Sequence, residues 1–186
     1  MAEKKYTPMM QHYLKMKEEN PDAILFYRLG DFYEMFFEDA KLVSQELDLV
    51  LTGRSAGVEE KVPMCGVPFH AANSYIQRLV KKGYKVAICE QLEDPSSAKG
   101  LVDRGIIKII TPGTYMDATL DAKSTNYMAS CEISSFEITV IYCELSTGEL
   151  KYQTLQRSLV SLQKALLEQN VSELVCPMSM DKKWMS

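Results

Sequence analysis

The stretch that decides the fold is Ile24-Leu25-Phe26-Tyr27-Arg28-Leu29-Gly30-Asp31-Phe32-Tyr33-Glu34-Met35-Phe36-Phe37. Its first four residues form an apolar run that predicts a buried strand. Gly30-Asp31 predicts a two-residue turn, because glycine supplies the positive φ that such turns need. The aromatic residues that follow predict a short returning strand, so the whole stretch is expected to be a β-hairpin.

The returning strand has two different faces, because side chains alternate along a strand. One face is expected to carry Phe32, Glu34 and Phe36. The other is expected to carry Tyr33, Met35 and Phe37. An apolar ring beside an acid near a hairpin tip is suited to unstack a base and test it by hydrogen bonding. Aromatic side chains are mostly buried, so the same pattern also fits an ordinary core strand.

The residues around the hairpin predict an α/β domain, a mixed sheet flanked by helices. Helices are expected over Met9–Glu19 (with Thr7 as its N-cap), Glu38–Leu47 and His70–Lys82. Strands are expected over Leu49–Thr52, Lys85–Gln91 and Gly105–Ile110. Gly53–Lys61 is predicted to be an exposed loop, and Pro63–Pro68 to lack regular structure, because both are interrupted by glycine or proline.

The pattern changes in the last third of the chain. We expect a first domain over residues 1–115, a linker over 116–125 and a second domain over 126–186. The second domain is predicted to contain strands Asn126–Cys131, Phe136–Glu144 and Glu149–Thr154, helix Ser158–Gln169 and strand Glu173–Cys176. This order is typical of the opening half of an RNase H-like α/β unit. The unit is incomplete at Ser186, so the chain is expected to be part of a longer protein.

Five blocks of sequence, in this order, resemble the N-terminus of the MutS family of DNA mismatch-repair proteins. They are Thr7–Gln11, Phe26–Phe36, Pro63–His70, Val86–Gln91 and Thr111–Thr114. The resemblance implies that the first domain recognises mismatches and that the second is part of a connector domain. It also implies that Phe32 stacks at the mispaired base from the minor groove, while Glu34 hydrogen-bonds that base.

Contacts to the DNA backbone are implied less directly. The resemblance places a basic or polar residue just after the Gly-x-Pro segment, where His70 stands. It places another before the last strand, which matches Arg104, with Lys99 nearby. Arg54, in the predicted loop, is a further candidate. Such residues orient a duplex without reading its sequence. Each also fits an ordinary solvated charge, and His70 fits a structural role at a helix N-terminus.

Composition limits the other classes of function. The formal net charge of −4 disfavours a protein that holds DNA by charge alone. The five cysteines form no Cys-x-x-Cys pair, so no metal site is predicted. No secretory segment or membrane-spanning run is present. The expectation is a bacterial cytoplasmic protein with reduced cysteines and no membrane partner.

Two alternatives remain open. Pro21-Asp22 with Glu59-Glu60-Lys61 superficially matches a pattern of metal-dependent nucleases, although no strand pattern aligns the second segment. Glu132, Glu137 and Glu144 are expected on a solvent face, with no catalytic role. The second domain also fits a protein-interaction module, since exposed strands invite partners.

No catalytic residue and no cofactor are predicted for this chain, because it contains no Gly-x-x-x-x-Gly-Lys-Ser/Thr nucleotide site. The resemblance implies that ATP and Mg²⁺ bind elsewhere in a longer, homodimeric ATPase that also contacts a downstream repair partner. The present chain is expected to be a monomer that binds mismatched double-stranded DNA weakly.

Overall fold

The computed structural model describes residues 6–93, 102–115, 126–177, 180 and 184. The chain divides into two compact units, Met1–Thr111 and Pro112–Ser186. Each unit is described here by itself. The predicted linker over residues 116–125 and the candidate Lys99 lie outside the described residues.

The first unit is a six-stranded mixed sheet with helices on both faces, which confirms the predicted fold class. Its strands lie in the order β3-β4-β2-β1-β5-β6. In chain order the elements are α1 (Pro8–Glu19), β1 (Ala23–Leu29), β2 (Phe32–Phe36), α2 (Phe37–Leu47), β3 (Thr52–Arg54), β4 (Val62–Pro68), a 3-10 turn (Phe69–Ala71), α3 (Ala72–Lys81), β5 (Lys85–Gln91) and β6 (Arg104–Ile110). The β1 strand is antiparallel to β2 and parallel to β5.

The predicted hairpin is confirmed. β1 and β2 pair through Leu29 and Phe32 at the tip, and Gly30 takes a φ of +58° in the two-residue turn. The predicted N-cap is also confirmed, because the Thr7 hydroxyl accepts a 3.4 Å hydrogen bond from the amide of Met10. Local sequence therefore determines where α1 begins and where the chain turns between β1 and β2.

Helix α1 covers the face of the sheet that carries Phe36. The Tyr13 and Phe36 rings meet edge to face at 4.9 Å, and both residues are fully buried. Helix α2 covers the opposite face, where the Cys65 thiol donates to the carbonyl of Ala40 at 3.5 Å. The central hairpin is thus enclosed on both faces over most of its length, and its tip lies at one end of the sheet.

Three local predictions were wrong. Phe37 is not on the strand: it takes a φ of +52° as the first residue of α2, with its ring near those of Tyr6 and Tyr13. Pro63–Pro68 is regular and belongs to β4, which pairs with both β2 and β3. The strand expected over Leu49–Thr52 begins only at Thr52 and continues through Arg54, so Gly53 and Arg54 are not in a loop.

The second unit contains a four-stranded sheet in the order β10-β7-β8-β9. Its elements are β7 (Tyr127–Ile133), β8 (Glu137–Glu144), β9 (Glu149–Gln156), α4 (Leu159–Glu168) and β10 (Val171–Val175). The first three strands form the predicted antiparallel meander, and β10 pairs in parallel with β7. The predicted strands and helix of this second unit are therefore confirmed to within a few residues at each end.

The expectation that Glu144 faces solvent was wrong. Glu144 is only 5% exposed. Its carboxylate accepts hydrogen bonds from the Ser146 hydroxyl at 2.7 Å and from the Thr147 amide at 2.8 Å. Hydrogen bonding by the side chain of Thr147, and then by that of Ser146, holds the pKa of Glu144 below its usual value. Glu144 therefore stabilises the turn between β8 and β9, whereas Glu132 and Glu137 are exposed as predicted.

Within the described parts of the chain, no helix has the length and apolar character needed to cross a membrane.

Candidate nucleic-acid interface

Phe32 is an exposed aromatic residue on a firmly held backbone. It begins β2 and is directly opposite Leu29 of β1 and Pro68 of β4, so strands flank it on both sides. The residue is 46% exposed, whereas Phe36, four positions along the same face, is 0% exposed. The strand therefore leads from the core to the tip and presents its first ring to solvent.

Glu34 lies between these two rings, on the same face. Its strand partners are Tyr27 of β1 and Gly66 of β4. A Cβ at position 66 would lie 3.5 Å from the Glu34 Cγ and 3.3 Å from the carbonyl oxygen of Tyr33. The absence of a side chain at Gly66 thus lets Glu34 lie close to the backbone of β4.

The Glu34 carboxylate is paired with Arg54, at the end of β3. The guanidinium donates a short hydrogen bond to the Glu34 Oε2, and its central carbon lies 6.0 Å from the centre of the Phe36 ring. The side chains of Arg54 and Glu34 are 36% and 15% exposed. The structure therefore brings two of the predicted site residues, a base contact and a candidate phosphate contact, into direct contact.

A second cluster supports the hairpin from its other face. The Arg28 guanidinium lies 3.8 Å from the centre of the exposed Phe69 ring and donates to Glu90 at 3.3 Å. Tyr33 also donates a short hydrogen bond to Glu90. Burial, followed by this bond, raises the pKa of Tyr33 to about 12. No local sequence signal predicts this cluster, because Glu90 and Phe69 lie far from Arg28 and Tyr33 in the chain.

The turn itself is tied to the neighbouring strand. The amide of Phe69 donates to the carbonyl of Asp31 at 2.9 Å. Beside it, His70 is exposed in the 3-10 turn, and its ring meets the Phe69 ring edge to face at 5.9 Å. His70 is therefore available to solvent near the hairpin tip, where a phosphate contact was expected.

Arg104 occupies a different environment from the one expected of a phosphate contact. The residue is 8% exposed, and its guanidinium donates to the carbonyls of Arg28 at 2.9 Å and Val102 at 2.8 Å. It also lies 5.3 Å from the centre of the Tyr27 ring. Buried charges are normally paired in this way for structural reasons. The position of Arg104 argues for a role in joining β6 to β1.

The nuclease pattern is not assembled into a site in the described residues. Asp22 is an exposed partner of Lys85, at 2.8 Å, and Glu59 and Glu60 lie in an exposed bend. Across the described ranges, no three His, Cys, Asp or Glu side chains lie close enough together to hold a metal ion.

Comparison with known proteins identifies the family. Residues 7–119 match the family described as MutS domain I. The chain is 62% identical over 144 residues to the DNA mismatch repair protein MutS of Clostridium botulinum (strain Loch Maree / Type A3), a match that covers 77% of this chain and 16% of that protein. It is 59% identical over 146 residues to the DNA mismatch repair protein MutS of Clostridium tetani (strain Massachusetts / E88), covering 78% of this chain and 17% of that protein.

The chain thus spans about a sixth of the length of these curated relatives. The family match covers well over half of its residues and includes the hairpin, α1, β4 and the Phe32–Glu34 face. On this evidence, the chain belongs to the MutS family, through its domain I.

Proposed function

We propose that this chain recognises mismatched or unpaired bases in duplex DNA during mismatch repair. Phe32 enters the base stack from the minor groove, and Glu34 hydrogen-bonds the displaced base. The observation that carries the proposal is the 46% exposure of Phe32 on a strand that is paired on both sides. The next residue on the same face of this strand is the acid Glu34. The names of the curated relatives support the repair process.

The selectivity of such a wedge follows from cost. Unstacking a base step costs a few kcal/mol, and less where the pair is already mismatched. The ring therefore enters most easily where pairing is weak, and the flexibility of the step contributes to discrimination. Glu34 then accepts a hydrogen bond from the exposed base edge. Discrimination thus depends on hydrogen bonding as well as on the cost of unstacking.

The proposed phosphate contacts come from residues near Phe32 and Glu34. His70 and Arg54 are exposed enough to reach a duplex backbone. Lys99, which lies outside the described residues, is a further candidate from the sequence alone. With a net charge of −4, few such contacts are available, so the 186-residue chain binds DNA weakly and as a monomer.

Further activities are proposed for the longer protein. The curated relatives are about six times as long as the matched part. We place ATP and Mg²⁺ binding, ATP hydrolysis, homodimer formation and the contact with a downstream repair partner in sequence outside this chain. The second unit serves as the first part of an RNase H-like connector, and the protein works in the bacterial cytoplasm.

The test is a duplex carrying a fluorescent base analogue beside a G·T mismatch. The wild-type chain is expected to brighten the probe, because the analogue is unstacked, whereas Phe32→Ala binds without brightening it. Phe136→Ala is the matched control: Phe136 is 89% exposed and belongs to the second unit, so this variant should behave as wild type. Equal brightening by wild type and Phe32→Ala would refute the wedge.

A further inference from the structure

The ion pair between Glu34 and Arg54 joins the proposed base-contacting acid to a candidate phosphate ligand. The two residues are 20 positions apart and belong to different strands, with β4 between them. The Arg54 guanidinium carbon also lies 6.0 Å from the centre of the Phe36 ring. The contact therefore depends on the assembled sheet, and it fixes the Glu34 carboxylate against Arg54.

The exposure of the two partners is unequal. The Glu34 side chain is 15% exposed, whereas that of Arg54 is 36% exposed. A guanidinium carries five N–H donors in a planar fork, and this fork matches a phosphate as well as it matches a carboxylate. Arg54 can therefore be approached by a phosphate from solvent while it still holds Glu34.

A duplex on this face offers Arg54 a competing anion. Charge-assisted bonds to phosphate are as strong as those to carboxylate, so the exchange of one for the other costs little. Once Arg54 has turned to the backbone, the carboxylate is no longer neutralised in place. It then gains by finding a new hydrogen-bond donor, such as a displaced base edge.

We propose that Arg54 is a positioning residue that retains the Glu34 carboxylate in the free protein and transfers to a DNA phosphate on binding, which releases Glu34 toward the displaced base. This inference rests on the proposed function, because it assigns a trigger to the same acid. It makes arrival of the DNA backbone a condition for testing the base.

The first measurement asks whether the pair contributes to the free protein. Urea unfolding is followed by far-UV circular dichroism for wild type, Arg54→Gln, Glu34→Gln and the double variant. For a partly exposed pair we expect a coupling of about threefold in the unfolding equilibrium constant. Strictly additive effects would mean that Arg54 does not hold Glu34, and the inference would fail.

The second measurement repeats the cycle with binding to the G·T duplex. If the pair breaks on binding, its coupling must reappear with the opposite sign. Arg54→Gln should then weaken binding about threefold less in the wild-type background than in the Glu34→Gln background. In wild type, part of the lost phosphate contact is offset, because no ion pair has to be broken. Equal effects in the two backgrounds would show that the pair persists in the complex and would overturn the exchange.

Salt dependence separates a transfer to phosphate from a purely structural contact. Arg54→Gln should reduce the slope of log K against log salt concentration by about one, since one phosphate contact is lost. An unchanged slope would refute the transfer. Lys41→Gln is the charge-matched control: it removes one positive charge from an exposed pair on α2, and it should leave mismatch preference unchanged.

Binding of Phe32→Ala to the same mismatched and paired duplexes distinguishes this inference from the proposed function. If Phe32→Ala keeps the mismatch preference, the wedge itself is wrong. If Phe32→Ala abolishes that preference while Arg54→Gln has equal effects in both backgrounds, the wedge stands and only the exchange is refuted.

Discussion

Phe32 and Phe36 provide a matched pair of substitutions on one face of one strand. Both residues lie on β2, and both are replaced by alanine, so chemistry and secondary structure are held constant. They differ in environment, because Phe32 is 46% exposed and Phe36 is 0% exposed. Phe32→Ala should therefore affect DNA binding far more than stability, and Phe36→Ala should do the reverse.

The size of the difference follows from burial. Phe36→Ala removes a ring packed against Tyr13 at 4.9 Å and leaves a cavity, which typically costs about 3–5 kcal/mol. At Phe32 about half of the residue already meets water, and no closed cavity forms, so the expected loss is about 1 kcal/mol. With ordinary urea m-values these losses shift the midpoint by about 2 M and about 0.5 M.

Urea titration by far-UV circular dichroism measures the shift. The fluorescence of Trp184, which packs against the core cluster of the second unit, serves as an internal reference that neither substitution should move. If Phe32→Ala destabilises the first unit as much as Phe36→Ala, then Phe32 is a core residue. The hairpin would then have only a structural role, and Phe32 would not be available to enter a base stack.

Three further predictions concern the support of the hairpin and one buried thiol. Asp39→Ala should lower the free energy of unfolding, measured by urea titration, by about 2–4 kcal/mol, because the buried Leu25 amide loses its 3.0 Å acceptor. A loss below about 1 kcal/mol would contradict this reasoning. Gly66→Ala should cost about 1–2 kcal/mol in the same assay, since its Cβ would lie 3.3 Å from the carbonyl oxygen of Tyr33, and an unchanged midpoint would refute that crowding. Cys65 should resist iodoacetamide at neutral pH until the chain unfolds, as burial raises its pKa to about 12; rapid native labelling by mass spectrometry would disprove it.

The elements that the sequence predicted well are those decided by near neighbours. The Gly30-Asp31 turn, the Thr7 cap and the strand Lys85–Gln91 each depend on local backbone chemistry or on one continuous apolar run. Such signals act over a few residues and survive folding unchanged. The same reasoning succeeded for the meander of the second unit.

The β4 strand shows why a local rule failed. Pro63 and Pro68 lie at its two ends, where a missing N–H is tolerated, and Gly66 lies opposite Glu34. By local rules, the prolines and the glycine predict breaks in regular structure. In the folded protein their positions match what the neighbouring strands require, and a single sequence does not contain that information.

The candidate site divides in the same way. The exposed position of Phe32 agrees with what the family resemblance implies, whereas alternation alone puts Phe32 on the same face as the buried Phe36 and does not predict its exposure. The burial of Arg104 does not follow from the sequence, since it depends on carbonyls of Arg28 and Val102 that only the folded sheet brings within reach. The pairing of Glu34 with Arg54 does not follow from the sequence for the same reason, and also because the glycine-containing segment predicts a loop where Arg54 ends β3.

The backbone that carries Phe32 is as important as the ring. A wedge on a mobile loop would lose conformational entropy when it entered the base stack, and that loss would weaken binding to every duplex. Here β1 and β4 hold the strand on both sides, while the Phe69 amide holds the turn at the Asp31 carbonyl. Most of the ordering has thus already occurred during folding, so the free energy of insertion depends mainly on the base step. A rigid support therefore converts differences in DNA pairing into differences in binding.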